Sequence, residues 1–302
     1  MDTAIIGGGA IGLLFAYYFA EAGHRVTVYV RRKEQAQELR RDGVTLIREG
    51  SRRHIRVKAD VFPESGEITA GLVIIAVKQY HLAELAHTLP GVLAGNAKLL
   101  FVQNGMGHVS FMETLPHSDI YVGIVEHGAL KERDSNIRHT GAGSVKLAAF
   151  RGNLEECIAF WDGLDDFHFP AAFRGDWYTL MAEKLLANAV INPLTALCRV
   201  QNGALIDNPY LFENMARLFE ETFGVLALHD KEKYWDYVLH VCRSTSGNRS
   251  SMLRDIELER PTEIEAISGF LLQEGEKRKK ELPLTSFMYR SIKGISSRGR
   301  GG

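Results

Sequence analysis

Short apolar runs alternate with helical patterns over the first half of the chain. Thr3–Ile6 has the pattern of a buried strand, Ile11–Ala22 that of a helix, and Arg25–Val30 that of a second strand. Two further apolar runs, Gly71–Lys78 and Ala97–Asn104, have the composition of buried strands, and each ends in a polar residue. Strands that alternate with helices predict an α/β domain built on a parallel sheet.

The pattern changes towards the second half. The segment 121–150 alternates loosely between short β runs and turn signals, which predicts an antiparallel extension of the sheet. Long helical periodicity follows from about Trp177. The helices are predicted over 177–197, 209–229, 231–242, 262–280 and 284–293. Pro170 and Gly175 interrupt the chain between the two patterns. We therefore predict a sheet domain over residues 1–172, a helical domain over 173–295, and a disordered polar tail over 296–302.

Composition narrows the classes of function. The 302 residues are 45% hydrophobic and 24% charged, with a net charge of −1, which excludes a dedicated nucleic-acid or membrane-surface binder. Cys157, Cys198 and Cys242 lie far apart, so we expect neither a metal site nor a disulfide framework, and a cytoplasmic location fits. The uncharged stretch Thr3–Ala20 lacks the basic leading region of a signal peptide, so we expect neither secretion nor membrane insertion.

Three glycines form a nucleotide-binding pattern at the first turn. Gly7, Gly9 and Gly12 give G-x-G-x-x-G between the first predicted strand and the first predicted helix. In such a turn the first glycine allows the tight bend, the second allows close approach of a pyrophosphate, and the third allows close helix packing. The amides at the start of the helix then face the phosphates. The sequence predicts a Rossmann dinucleotide site here, although glycines also occur in turns that bind nothing.

The residues at the end of the second strand select the cofactor. NAD sites usually carry an acidic residue there for the ribose 2′-hydroxyl, whereas this chain carries Arg31 and Arg32. A guanidinium is suited to the extra 2′-phosphate of NADP. We therefore expect NADP(H), with a solvated pair of arginines as the alternative.

A polar stripe crosses the first long helix of the second half. Lys184, Asn188 and Asn192 are spaced by four residues, so they lie near one face of a helix that is otherwise apolar. Lysine is seldom buried without a partner. The stripe therefore faces water, lines a polar pocket or contacts the other domain, and the pattern alone leaves these alternatives open.

Other polar residues occupy positions where ligands commonly bind. Lys78 and Asn104 follow the carboxyl ends of predicted strands, although Asn104 precedes Gly105 and also fits a simple turn. Asn248, Ser250 and Ser251 start a predicted helix, where they either cap it or bind an anion.

A second helix start carries a spacing typical of a capping box. Thr262 and Glu265 have that spacing, which leaves Glu263, at the first helical position, free for another role.

The chain resembles the ketopantoate reductase family. The resemblance rests on "GGGAIG", "VKQYHL", "QNGMG", "EKLLANAVINPLTAL", "NRSSMLRDI" and "TEIEAISGFLL", which occur in family order over nearly the whole chain. It implies an N-terminal Rossmann domain followed by an all-helical C-terminal domain of the 6-phosphogluconate-dehydrogenase-like type. It also implies NADPH-dependent reduction of ketopantoate to pantoate, on the route to pantothenate and coenzyme A.

The resemblance assigns roles by matching position. It implies that Lys184 is the general acid, and that Glu263 bridges the cofactor and the catalytic network. The substrate residues it implies are Asn104, Asn188, Asn192, Asn248 and Ser251. The cofactor residues it implies are Gly7, Gly8, Gly9, Ala10, Ile11, Gly12, Arg31, Lys78, Asn104, Ala129 and Glu263.

Two other functions remain open from the sequence. One is reduction of another branched 2-oxo acid, and the other is a non-catalytic NADP(H) sensor, which would not need Lys184 or Glu263. The expected partner is a small-molecule substrate, with no nucleic acid and no membrane, and a homodimer is left open.

Overall fold

The computed structural model describes residues 1–64 and 66–298, without the side chains of 297 and 298. Its strands are β1 (Asp2–Ile6), β2 (Arg25–Val30), β3 (Val44–Arg48), β4 (Ser51–Ile55), β5 (Lys58–Val61), β6 (Leu72–Ile75), β7 (Lys98–Phe101), β8 (Ile120–Val125), β9 (Gly128–Lys131), β10 (Asn136–Gly141), β11 (Val145–Arg151) and β12 (Ala171–Arg174). Its α-helices are α1 (Ala10–Glu21), α2 (Lys33–Asp42), α3 (Gln79–Val92), α4 (Val109–Thr114), α5 (Leu154–Ile158), α6 (Trp177–Cys198), α7 (Ala204–Asp207), α8 (Pro209–Val225), α9 (Lys231–Ser244), α10 (Ser251–Glu257), α11 (Phe270–Lys277) and α12 (Pro283–Arg298).

The contacts divide the chain into two units. Unit 1 comprises Met1–Gln103 and His108–Leu180, and unit 2 comprises Asn104–Gly107 and the chain from Met181 onwards. Unit 1 is a mixed α/β domain and unit 2 is helical, which confirms the predicted fold class. The division falls inside α6, whereas the predicted boundary at 172/173 precedes that helix and stays a prediction.

Within the described residues, unit 1 contains two sheets. The larger has the strand order β12-β11-β8-β7-β6-β1-β2-β5, and the smaller has the order β4-β3-β10-β9. The strands from β5 to β8 in that order pair in parallel, and only β11 runs antiparallel to its neighbour β8. This parallel arrangement brings the carboxyl ends of β1, β2 and β6 to one edge of the sheet, where ligands of such folds bind.

The predicted antiparallel extension over 121–150 is only partly correct. β11 pairs antiparallel with β8 as expected, but β8 itself pairs in parallel with β7. β9 and β10 leave the main sheet and join β3 in the smaller one. A two-residue period identifies a strand and its buried face, but it does not identify the partner strand, which long-range packing decides.

Helix α1 is the centre of the core of unit 1. It contacts β1 and β2 of the larger sheet and β3, β4, β9 and β10 of the smaller, so it is enclosed on nearly all sides. This enclosure explains why α1 carries the aromatic run "FAYYFA" over residues 15–20. Phe15 and Tyr18 pack against Phe169, with ring centroids 5.1 and 4.7 Å apart, and Phe19 packs against Trp161 at 5.1 Å. No helix among residues 1–64 and 66–298 is long and apolar enough to cross a membrane.

Several predicted element ends are wrong. β6 ends at Ile75 and β7 at Phe101, so Lys78 and Asn104 follow their strands by three residues rather than ending them. The predicted disordered tail began at 296, but α12 extends to Arg298, and 299–302 lie outside the described residues. Element ends depend on local capping, which hydrophobic periodicity does not report.

We predict that Gly12→Ala destabilises the protein by about 2 kcal/mol or more, because a Cβ there would strike the carbonyl oxygen of Gly7. Gly9→Ala is the matched control, since Gly9 has a φ of −81° and a Cβ there meets nothing within 4 Å. The measurement is the urea midpoint and slope of each variant. Equal stability of the two variants would show that the turn tolerates a side chain at both positions.

We predict an acid-dependent loss of stability caused by His108. Burial, with no hydrogen-bond partner for either ring nitrogen among the described residues, lowers the pKa of His108 to about 4. The unfolded chain binds a proton near pH 6.5, whereas the native imidazole stays neutral down to about pH 4. The histidine therefore costs no stability above pH 6.5, and it destabilises the native state by about 2 kcal/mol between pH 7 and pH 5.

The measurement is the free energy of unfolding of wild type and His108→Phe at both pH values. The variant keeps the stacking on Phe101 but cannot bind a proton, so its loss between pH 7 and pH 5 should be smaller by that amount. His54→Phe, at an exposed position on β4, is the matched control for the replacement of a histidine by phenylalanine. An unchanged pH dependence in His108→Phe would assign the acid sensitivity to other groups.

Candidate functional site

The glycine turn between β1 and α1 has the close backbone contacts that its sequence predicts. Gly7 has a φ of +123°, and a Cβ there would lie 2.8 Å from the backbone carbon and oxygen of Ala76. A Cβ on Gly12 would strike the Gly7 carbonyl, whereas Gly9 faces open space. The first turn of α1 starts at Gly9 without a side-chain cap. The turn therefore packs tightly on its inner side and leaves its outer side accessible.

A cavity of about 410 Å³ opens beside this turn in unit 1. Its lining includes Gly7, Gly8, Gly9, Arg31 and Lys78, which are predicted cofactor residues brought together by the carboxyl ends of β1, β2 and β6. Ala129 lies in β9, opposite His139, and is not among the described residues that line the cavity. Ala10, Ile11 and Gly12 form the first turn of α1.

The two arginines at the end of β2 have different partners. Arg32 forms a short ion pair with Asp134, and burial, which would raise the pKa of that carboxyl, is outweighed by hydrogen bonds from Lys131 and Arg32 that lower it. Arg31 lies 3.7 Å from Glu84, and both side chains are 70% exposed. A pair this long and exposed is weak, so the Arg31 guanidinium is available to another anion, whereas Arg32 is held.

Gln103, which the sequence analysis missed, fixes the strand end at the cavity. Its buried amide nitrogen donates to the carbonyls of Ile75 and Val77, at 2.7 and 3.1 Å. These bonds hold the backbone between the end of β6 and Lys78, which precedes α3. The sequence did contain a signal for this role, because Gln103 stands at the end of an apolar run, just before Asn104. A glutamine amide that is buried there needs hydrogen-bond partners.

Helix α6 of unit 2 carries the predicted polar stripe on a mostly buried surface. Lys184 and Asn188 are half-buried, and Asn192 is buried. Neighbours such as Leu185 and Val190 are fully enclosed. The stripe therefore lies largely away from bulk water.

A side-chain hydrogen bond connects helix α10 to helix α6, about one helical turn beyond Asn192. The hydroxyls of Thr195 and Ser250 lie 2.8 Å apart, and Ser250 also caps α10 by accepting from the amide of Leu253 at 3.1 Å. The cap is therefore Ser250, and neither Ser251 nor Asn248 has that role. Ser251 is left exposed as the first residue of α10, next to Ser250, whose hydroxyl contacts Thr195 of α6.

Asn248 lies in the bend before α10. Its amide donates to the Thr245 carbonyl at 2.8 Å, and its carbonyl accepts from the Asn202 amide at 3.0 Å, so the backbone of Asn248 is fixed while its side chain is exposed.

Asn104 and Glu263, which are 159 positions apart, meet within unit 2. The Asn104 amide nitrogen donates to a Glu263 carboxylate oxygen at 2.9 Å. Gly105 has a φ of +78°, and a Cβ there would strike the carbonyl of Ala266. The expected Asn-Gly turn is present, and it also brings the amide to a predicted catalytic carboxylate. Glu263 is 6% exposed, so this contact lies in a largely buried environment.

The predicted capping box at this helix start is wrong. Glu263 precedes the helix instead of occupying its first position, and the helix begins with a π-helical segment, Glu265–Gly269. The Glu265 carboxylate accepts from Tyr289 at 2.7 Å and from Lys293 at 3.1 Å, so tertiary partners on α12 replace the local cap. The spacing of Thr262 and Glu265 permitted a box, but stronger charge-assisted bonds to α12 were available.

Two more residues at the glycine turn were missed. Gln35 and Lys131 both donate to the Gly8 carbonyl, at 2.8 and 3.1 Å. A signal for Gln35 existed in the middle one of the three consecutive glycines, since a Cβ on Gly8 would lie 2.6 Å from the Gln35 side chain. Lys131 had no signal in the sequence, because only the pairing of β9 and β10 brings it to this turn.

The chain matches models of one family over both of its halves. The model described as ketopantoate reductase PanE/ApbA matches residues 3–152, and the model of the C-terminal part of the same family matches residues 176–296. The 2-dehydropantoate 2-reductase of Bacillus subtilis (strain 168) is 39% identical over 297 residues, which cover 98% of this chain and 97% of that protein.

Solved structures agree with this match. A crystal structure of a probable 2-dehydropantoate 2-reductase from Bacillus subtilis is similar to this chain with a TM-score of 0.89 and 38% identity, and covers 98% of this chain and 100% of the other. A D-mandelate dehydrogenase in complex with NADH and anilino(oxo)acetate also has a TM-score of 0.89, covering 99% and 100% of the two chains. At 22% identity that second likeness shows the fold alone.

Family models that together cover both units, and a relative that is 39% identical over nearly the whole length, identify the chain. It belongs to the ketopantoate reductase PanE/ApbA family of oxidoreductases.

Proposed function

We propose that this protein reduces 2-dehydropantoate (ketopantoate) to (R)-pantoate with NADPH, as a cytoplasmic enzyme of pantothenate and coenzyme A biosynthesis. The observation that carries the proposal is the stripe Lys184, Asn188 and Asn192 on a mostly buried helix, in a chain 39% identical to a 2-dehydropantoate 2-reductase. A lysine kept in a largely enclosed polar stripe has a physical use in stabilising charge on a carbonyl oxygen.

The glycine turn and its cavity fit a dinucleotide. Gly9 leaves open space on the outer side of the turn, and the uncapped amides of Ala10, Ile11 and Gly12 suit the pyrophosphate. Arg31, paired only at 3.7 Å with Glu84, is the guanidinium proposed for the 2′-phosphate. Lys78 lines the same cavity, and Ala129 is proposed to contact the nicotinamide end by family resemblance. When bound, NADPH supplies the hydride.

The residues of unit 2 are proposed to handle the substrate. Lys184 donates the proton to the keto oxygen as negative charge develops there. Asn188 and Asn192 are neutral donors and acceptors, so they bind a hydroxyl without an ion pair to Lys184.

The remaining polar groups are proposed to orient the substrate and the lysine. Ser251 and Asn248 bind the end of the substrate that bears the carboxylate and hydroxyl. Glu263 accepts a hydrogen bond from Asn104 at 2.9 Å, so its carboxylate has a fixed orientation from which to position the cofactor and the catalytic network.

A second candidate is reduction of another 2-oxo acid. The fold alone does not select the substrate, and a protein of the same fold is a D-mandelate dehydrogenase. Oxidation of NADPH, followed by absorbance with ketopantoate, pyruvate and 2-oxoisovalerate offered separately, tests the proposal. If pyruvate or 2-oxoisovalerate gives a higher kcat/KM than ketopantoate, that acid replaces ketopantoate as the proposed substrate. If none of the three is turned over, a non-catalytic binding protein is favoured. A homodimer stays a prediction.

We expect Arg31→Ala to weaken NADPH binding by about 1–3 kcal/mol and to leave NADH binding nearly unchanged, because only NADPH carries the 2′-phosphate. Fluorescence titration of both cofactors measures this. Arg32→Ala is the control and should have the smaller effect on NADPH, since Arg32 is held by Asp134. Equal weakening of both cofactors in Arg31→Ala would exclude Arg31 as the discriminating residue.

We expect Lys184→Ala to bind NADPH normally and to lose kcat by a factor of about 10² to 10⁴, the usual contribution of general acid catalysis. We also expect kcat/KM of the wild type to fall at high pH as the Lys184 ammonium loses its proton. This fall should be absent in Lys184→Ala. Asn188→Ala, on the same face of α6, should instead raise KM with a smaller change in kcat. Normal turnover by folded Lys184→Ala would remove the lysine from catalysis, and loss of folding would assign it a structural role.

A further inference from the structure

The carbonyl of Gly8 is held from two directions. Gln35 donates to it through its side-chain nitrogen at 2.8 Å, and Lys131 through its ammonium at 3.1 Å. The dinucleotide fingerprint assigns no role to this carbonyl or to either donor. Both side chains come from outside the turn, Gln35 from α2 and Lys131 from β9 of the smaller sheet.

The two hydrogen bonds orient the peptide between Gly8 and Gly9. In a planar trans peptide the C=O and the following N–H point in opposite directions. Because the Gly8 oxygen points towards Gln35 and Lys131, the Gly9 N–H points away from them. Gly9 is the exposed residue of the turn and lines the 410 Å³ cavity. A cation on the carbonyl also polarises the peptide, which makes its N–H a stronger donor.

The ammonium of Lys131 is itself fixed in place. It lies 2.9 Å from the Asp134 carboxylate and is 28% exposed, so it is less screened than a surface ion pair. Gln35 donates to the backbone carbonyl of Asp134 at 3.0 Å, and Ser135 donates to Glu38 of α2 through its amide and its hydroxyl. The turn that joins β9 to β10 is therefore tied to α2 beside the glycine turn.

We propose that Lys131, together with Gln35, is a positioning residue for the cofactor pyrophosphate. The two side chains hold the Gly8–Gly9 peptide so that the Gly9 N–H donates to a pyrophosphate oxygen, and the ammonium adds positive potential beside it. This inference rests on the proposed binding of a dinucleotide at the glycine turn. It concerns the part that NADPH and NADH share, whereas Arg31 concerns only the 2′-phosphate.

The test compares the dissociation constants of NADPH and NADH for wild type and Lys131→Met, by fluorescence titration. Loss of a hydrogen bond from a charged donor predicts that both constants rise by the same factor, about tenfold. With ketopantoate and saturating NADPH, kcat should stay within about twofold of wild type, because Lys131 does not touch the reacting atoms. Lys131→Arg keeps a charged donor and should restore most of the affinity for both cofactors.

Lys146→Met is the matched control. Lys146 lies on β11, is 25% exposed and pairs with Glu126 at 2.7 Å, so its removal changes the net charge in the same way at a site away from the glycine turn. Its effect on both dissociation constants should be under about twofold. The thermal midpoint without cofactor is measured for every variant. If Lys131→Met does not fold, Lys131→Gln, which removes the charge and shortens the side chain, is used for the same comparison.

The outcomes separate this inference from the proposed function. Unchanged constants for both cofactors in folded Lys131→Met overturn the positioning role and leave NADPH binding intact. A rise for NADPH alone also overturns it, since Lys131 would then act at the 2′-phosphate. An equal rise of both dissociation constants in Lys146→Met would also overturn the positioning role, because the change in net charge alone would then explain the effect. If wild type binds neither cofactor, the proposed function fails and this inference fails with it.

Discussion

Close contact between backbones at the glycine turn is the constraint on which unit 1 depends. The Gly12 position of α1 faces the Gly7 carbonyl, and Gly7 faces Ala76 at the end of β6, with no room for a Cβ at either glycine. These contacts fix β1, α1 and β6 relative to one another at the edge of the sheet. Packing this close transmits small displacements, because protein interiors have few voids. The tight inner side of the turn is therefore the reason that its outer side has a defined shape.

The two arginines beside the turn differ in how closely a carboxylate pairs with them. Asp134 is paired with both Arg32 and Lys131, whereas the carboxylate paired with Arg31 among the described residues is that of Glu84, at 3.7 Å. His81 lines the same cavity, and burial together with the positive charge of Arg31 lowers its pKa, so the imidazole tends to stay neutral. Arg31 therefore contributes a more weakly paired positive charge to the cavity than Arg32 does.

In unit 2, the polar groups lie beside irregularities in the helical backbone. Pro193 lies inside α6 and removes one backbone donor beside Asn192. A π-helical segment begins two residues after Glu263, and such segments often accompany functional sites. Gly105 approaches the carbonyl of Ala266 in that segment, which brings Asn104 to Glu263. Helices with ideal geometry would not bring these side chains to the same positions.

The sequence by itself determined the features that depend on local chemistry. The glycine spacing predicted the strand–turn–helix, and the apolar runs predicted the parallel strands β1, β2, β6 and β7 and the long helices. The four-residue spacing predicted that Lys184, Asn188 and Asn192 share one face of α6, because helical period follows from the backbone alone. Family resemblance, and not periodicity, supplied the roles proposed for those residues.

Only the tertiary structure decided which distant groups meet. The pairing of β10 with β3 and β9 brings Lys131 to Gly8, and no local pattern specifies that pairing. The bonds of Glu265 to α12 replaced a capping box that its spacing had allowed, and Asp134 selected Arg32 over Arg31. Each of these outcomes is a competition between partners far apart in the chain. Local propensity ranks what a residue can do, but the packing of the whole unit determines which partner lies within hydrogen-bonding distance.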